Sequence, residues 1–212
     1  MLRKRTFALG LVLAIAAGVG CSNKSNEAKT TVPIAWRNPE FVDASYDDFF
    51  VIAIASTEER RRTMENAMVQ ALEEKGADAA PSYSIFPDGE KLDKAKLLAS
   101  LKAQDFDAVL VTRLLHIDVA EEYVEGTTRY EPTSNADFYM WDYDQQYQEI
   151  HEPGYIKESK TYNVETTLYS AQQGDKVGYI VSETVDPDTV EQVMGSVART
   201  AAASLEAAKL IR

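Results

Sequence analysis

Residues 49–55 read Phe49-Phe50-Val51-Ile52-Ala53-Ile54-Ala55, an unbroken apolar run of strand length. Continuous rather than alternating hydrophobicity marks a strand covered on both faces, so this segment is expected inside a sheet and not at its edge. The next residues supply a helix start: Ser56-Thr57-Glu58-Glu59 fits a capping box, with Ser56 as the cap and Glu59 reaching back. Met64, Ala67, Met68, Ala71 and Leu72 then recur at helical spacing, and Gly76 stands where a left-handed cap closes such a helix. A buried strand feeding an amphipathic helix is the opening of an α/β unit.

Working outward, Ala77 to Ser84 reads as a short strand that Pro81 confines to an edge, because proline removes a ladder donor. After the turn at Pro87-Asp88-Gly89, Leu92, Ala95, Leu98 and Leu101 mark a second amphipathic helix ending before Asp105. Asp107 to Val119 is a long apolar strand. Strand, helix, strand, helix, strand at these spacings implies two right-handed crossovers and a parallel core. His116 shares its parity with Leu110, Thr112 and Leu114, which predicts a packed or hydrogen-bonded histidine and not a general base. Arg60, Arg61 and Arg62 fall on different faces of the first helix near Glu58, Glu59 and Glu65, the pattern of a solvated, salt-linked surface.

Past Glu122 the character changes. Six of the eleven tyrosines lie between Tyr123 and Tyr155, and Tyr139, Trp141, Tyr143 and Tyr147 recur at even spacing, on one side of an expected strand with Asp142 and Asp144 opposite. Glu152-Pro153-Gly154-Tyr155 fits a type II turn that would fold this strand back onto Tyr155 to Tyr169, making a long aromatic hairpin. Tyr162, Val164, Thr166 and Leu168 share a face, Ala171 to Lys176 is a turn, and Val177, Tyr179 and Val181 are the expected inward residues of the next strand. Asp186-Pro187, or Asp188 with Glu191, starts a last helix whose stripe Val190, Val193, Met194, Val197, Ala201 and Leu205 should pack on the sheet. The fold class is therefore α/β (α+β): a mixed sheet from β-α-β-α-β, followed by antiparallel strands and a C-terminal helix.

At the other end, Arg3, Lys4 and Arg5 precede Thr6 to Gly20, which carry no charge. That run is shorter than the roughly 20 residues a bilayer span requires and ends in small residues, so it reads as an export signal. Gly18-Val19-Gly20-Cys21 resembles the lipobox of bacterial lipoproteins. The resemblance implies cleavage before Cys21, a diacylated thiol and an acylated amino group; two or more chains anchor a protein stably where one holds only marginally. Ser22 in place of an aspartate implies the outer membrane in a Gram-negative envelope. The expected organisation is a signal peptide over 1–20, a lipidated flexible linker over 21–31 with little to bury, and a single periplasmic domain over 32–212 whose first segment, Val32 to Phe41, is extended and docks on the body.

Lys and Arg number 22 against 34 Asp and Glu, a formal charge of −12 that becomes −15 once the three cations of residues 1–20 are removed. The electrostatic footprint of a nucleic-acid binder is missing. One cysteine and two histidines exclude an intrachain disulfide and a cysteine zinc site. Asp142, Asp144, Glu149, His151 and Glu152 match no metal loop and read as a solvated acidic hairpin. No phosphate loop, G-x-S-x-G or H-E-x-x-H is present. The expectation is a chain with no catalytic residues, no cofactor and no enzymatic activity.

The element order behind a lipobox and leash resembles small periplasmic lipoprotein domains: the penicillin-binding-protein activator lipoproteins, the curli-secretion lipoprotein, and the related amino-terminal domain of the Tol-system propeller protein. Uncharacterised envelope lipoproteins resemble it more closely, through Arg61, Arg62 and Glu65, through Gly76, Ala80, Ser82 and Tyr83, and through the strand Asp107 to Val111. The expected role is recruitment or regulation of an envelope protein through Tyr139, Trp141, Tyr143 and Tyr147, since Tyr and Trp suit interfaces. The same rings filling a second small core, stacking on peptidoglycan sugars, or joining an outer-membrane secretion assembly are the alternatives.

Overall fold

The computed structural model describes residues 28–87, 94–132 and 147–212. The apolar run at Phe49 forms β2 (Asp48–Ile54), flanked on both sides by parallel neighbours, β3 (Asp78–Pro81) and β4 (Ala108–Val124). Its side chains alternate between two cores. Phe49, Val51 and Ala53 enter the larger one beneath α1 (Glu58–Glu73) and α3 (Val190–Ala207); Phe50 and Ile52 enter a smaller one with Phe86, Leu97 and Leu101, the last two from α2 (Lys94–Ala103). Phe49 and Phe50 are fully buried, each worth about 2–3 kcal/mol of hydrophobic stabilisation.

The rest of the sheet is antiparallel. β7 (Tyr155–Ser170) pairs with β4 and with β8 (Lys176–Val185), and β1 (Lys29–Arg37) closes the far edge on β8. The order is β1-β8-β7-β4-β2-β3, with β5 (Thr127–Pro132) and β6 (Tyr147–Glu152) forming a separate two-stranded ladder. This is the mixed α+β architecture read from the sequence, with Pro81 on an edge strand and the extended N-terminal segment docked as β1. β1 begins at Lys29, three residues inside the stretch read as linker.

Several local expectations change. Thr57, not Ser56, caps α1, its hydroxyl accepting the Arg60 amide at 3.3 Å. Thr189, not Asp186 or Asp188, caps α3 and accepts the Gln192 amide at 3.2 Å. In both places the capping threonine has an extended backbone and offers its hydroxyl oxygen to the amide three residues on. Gly76 has φ +88° and closes α1 as expected. Arg61 is not solvated: it is buried, ion-paired with Glu58 at 2.9 Å, and donates to the Phe86 carbonyl at 3.0 Å. Arg62 lies 4.6 Å from the centre of the Tyr83 ring.

Fully buried Glu65 ties α1 to the sheet. It accepts from the Ala53 amide at 3.0 Å, the Ser82 hydroxyl at 2.5 Å and the Tyr83 amide at 3.2 Å. A carboxylate accepts all three without a mismatched donor, which is how a charged group is tolerated there. On β8, an irregularity at Leu168/Tyr169 in the pairing with β7 breaks the expected alternation. Val177 and Ile180 face α3, whereas Tyr179 turns to the opposite side and meets Trp36 of β1 with ring centroids 5.8 Å apart.

Candidate functional site

β4 and β7 do not stop where the body stops. β8 accompanies β7 only as far as the Thr161↔Val185 pair, yet β4 and β7 continue together from Val119↔Lys160 to Val124↔Tyr155. Those six pairs extend the ribbon about 20 Å, at roughly 3.3 Å per residue. The ladder breaks at Gly126 and Gly154, after which β5 and β6 carry the two chains further. The expected hairpin is thereby corrected: β6 pairs with β5, β7 pairs with β4 and β8, and Pro153-Gly154 joins the two ladders and does not fold one onto the other.

One face of this arm carries Ile117, Val119, Glu121 and Tyr123 of β4 opposite Tyr162, Lys160, Glu158 and Ile156 of β7. Its outer end is apolar and open to solvent: the directly opposed pair Tyr123 and Ile156 is 66% and 65% exposed. Tyr155 and Tyr130 are exposed beyond it, and Val119 and Ile117 nearer the body. Between the apolar ends, Lys160 pairs with Glu158 at 2.7 Å, and that carboxylate holds the ammonium above the ordinary lysine range. At the base, the Lys160 amide donates to Asp186 at 2.8 Å; this bond and one from the Ser159 hydroxyl hold the Asp186 carboxyl below its usual value.

His116 sits where the pairing of β4 with β7 slips between Leu114 and His116. The slip turns it off the packed face, so it is exposed rather than buried, with Nε2 3.3 Å from Asp118. Asp118 also accepts from the Asn163 side chain at 2.9 Å. These three polar groups rim the arm's other face near its base.

A groove opens where the arm leaves the body. It encloses about 440 Å³ between the N-terminal halves of α1 and α3 and the sheet, lined by Met64, Leu114, Ile117, Val164, Val193 and Val197. A smaller cavity of about 230 Å³ lies under the C-terminal half of α3, where Ala201 and Ala208 are too short to reach Leu110, Leu168 and Ile180. Among the described residues no group of three or more His, Cys, Asp or Glu side chains is placed to hold a metal ion.

Of the residues singled out from sequence, Cys21, Tyr139, Trp141 and Tyr143 lie outside the described residues, and Tyr147 opens β6 opposite Pro132. The exposed pair Tyr123 and Ile156 was not singled out. The available signal was length: the apolar segment Asp107 to Val119 already exceeds the five or six residues of an ordinary strand, and a strand that outruns its body must project from it.

No family model matches the chain, and no curated protein matches it. Among solved structures it is similar to the PelC dodecamer from Paraburkholderia phytofirmans, at 15% identity and a TM-score of 0.44, over 87% of this chain and 99% of that one. It is also similar to the lipoprotein GNA1162 from Neisseria meningitidis, at 10% identity and a TM-score of 0.41, over 76% and 99%. A PDZ domain protein from Parabacteroides distasonis matches at 8% identity and a TM-score of 0.33, over 82% of this chain and 36% of that one. These are partial likenesses of fold; the functional reading below rests on the chain's own residues.

Proposed function

We propose that this chain is a lipid-anchored protein of the bacterial cell envelope, without enzymatic activity, that recruits or regulates an envelope protein through its projecting arm. The observation that carries this reading is the exposure of Val119, Tyr123, Tyr155 and Ile156 on one two-stranded ribbon standing clear of the body. A large aromatic beside an aliphatic, ringed by charged residues, is the composition of an interface centre with a polar rim. A protein surface with no partner rarely concentrates apolar side chains this way. The lipobox reading of Cys21 supplies the anchor, and the formal charge of −15 left after cleavage keeps the body itself off anionic headgroups. Tyr139, Trp141, Tyr143 and Tyr147, which fall between β5 and the start of β6 in the sequence, are proposed as further contacts to the same partner.

The test is purification of the full-length protein from detergent-solubilised envelopes, with the double variant Tyr123→Ser, Ile156→Ser alongside. The expected result is a co-purifying protein that the variant loses while its thermal unfolding midpoint is unchanged. Co-sedimentation of the wild type with murein sacculi, abolished by Trp141→Ala, would instead support the glycan alternative.

A further inference from the structure

We infer that the groove between α1 and α3 houses one acyl chain of the lipid carried by this chain's own Cys21. The inference rests on the lipoprotein reading of Cys21 and goes beyond it, because that reading says nothing of where the chains lie.

The groove has the size of a ligand site: about 440 Å³, within the roughly 300–1,000 Å³ typical of such sites, with a mainly apolar lining to which Ser56, Arg60, Thr112 and Arg113 add polar groups. Its position picks the occupant. Ala28, the first described residue, is fastened to the helix that walls the groove: the Ser196 hydroxyl donates to the Ala28 carbonyl at 2.8 Å and accepts from the Thr30 hydroxyl at 2.6 Å. Lys29 pairs with Val185, just ahead of that helix. Val193 and Val197, both lining the groove, stand three residues before and one residue after Ser196 on α3. At 1.5 Å per residue they lie within about 5 Å of it along the axis.

Cys21 precedes Ala28 by seven residues, which span at most about 25 Å when extended. The thioether is therefore leashed to within reach of the groove mouth without displacing any strand. Tethering raises the local concentration of the chain's own lipid far above that of any free amphiphile, so the covalent acyl group outcompetes others for the site. The seated chain is withdrawn from water whenever the protein is away from a bilayer. Met194, at the half-buried rim, is the adaptable side chain that such an occupant would press against.

The experiment uses the full chain in cells supplied with a diazirine-bearing fatty acid that enters the lipoprotein diacylglycerol. After irradiation the purified protein is digested and mapped by mass spectrometry. The expected result is intramolecular adducts joining Cys21 to peptides containing Leu114–Ile117 or Val190–Val197, falling to background in Met194→Trp while Cys21 remains acylated. Acylated Cys21 with adducts to phospholipid alone overturns the inference and leaves the anchor intact. An unacylated Cys21 overturns the lipoprotein reading, and this inference with it. Should Met194→Trp fail to fold by circular dichroism, the wild-type adduct map decides on its own.

Discussion

Gly126 and Gly154 meet where the arm changes ladders: a Cβ on Gly126 would lie 2.5 Å from the Glu152 carbonyl oxygen and 2.7 Å from the Gly154 amide nitrogen. Both obstacles are backbone, so no side chain can swing aside. The close approach lets the β4–β7 ribbon hand over to β5–β6 without a gap.

Gly126→Ala is accordingly expected to prise the two ladders apart at a local cost of about 1–3 kcal/mol, the range for overpacking a filled site. Hydrogen exchange followed by mass spectrometry checks it. Amides of β6 and the first residues of β7 should exchange faster, with those of Phe49 to Ala53 unchanged, because β2 is buried in the body.

Glu65→Ala leaves the Ala53 amide, the Ser82 hydroxyl and the Tyr83 amide without their acceptor in a site closed to water. A loss of about 3 kcal/mol or more is expected, since each stranded buried donor costs roughly 1–3 kcal/mol. Urea unfolding reads it, and Glu65→Gln should recover only part, because its amide nitrogen cannot accept.

How far these features were legible in advance differs by cause. The β2 run, the helix stripes, the edge Pro81 and the α+β class followed from periodicity, because burial on one or two faces writes itself into every second or every third and fourth residue. The arm did not. Alternation in Tyr155 to Tyr169 identifies a strand but not its partner, and β7 chose β4 and β8 over the neighbouring aromatic segment through long-range registry. His116 and Tyr179 were misplaced for one shared reason: a register irregularity beside each reverses the parity that the sequence argument counts. Glu65 was read as part of a solvated surface, because nothing local to α1 reveals that Ser82 and Tyr83 will fold back over it.

Asp48 gives a prediction in pH. Burial first, then the negative charges of Asp107, Asp78, Asp47 and Asp105, push its carboxyl above the ordinary 3.8. A carboxyl raised in the folded state favours folding while protonated, and that contribution is lost as pH rises through the folded value. Asp48→Asn should therefore stabilise the protein at pH 7, with the gain shrinking on acidification and vanishing below about the unfolded value. Thermal unfolding of the two proteins across pH 3 to 8 gives the comparison; a constant difference would assign the effect to packing.

Ala201→Leu places three added carbons into the cavity of about 230 Å³ under α3, where Ala201 already faces Leu110 and Leu168. Cavity-filling substitutions commonly add about 0.5–2 kcal/mol, and about 1 kcal/mol is expected here with the arm and its partner unaffected. A denaturation midpoint shifted upward at constant slope is the signature.

The most direct test replaces Tyr123 with a photoreactive phenylalanine in living cells, with Val42, an exposed aliphatic residue next to the short 3-10 turn Pro39–Phe41, replaced in parallel. The account predicts one dominant protein adduct from position 123 and none at that mass from position 42. No protein adduct at 123, or the same adducts from both positions, would contradict it.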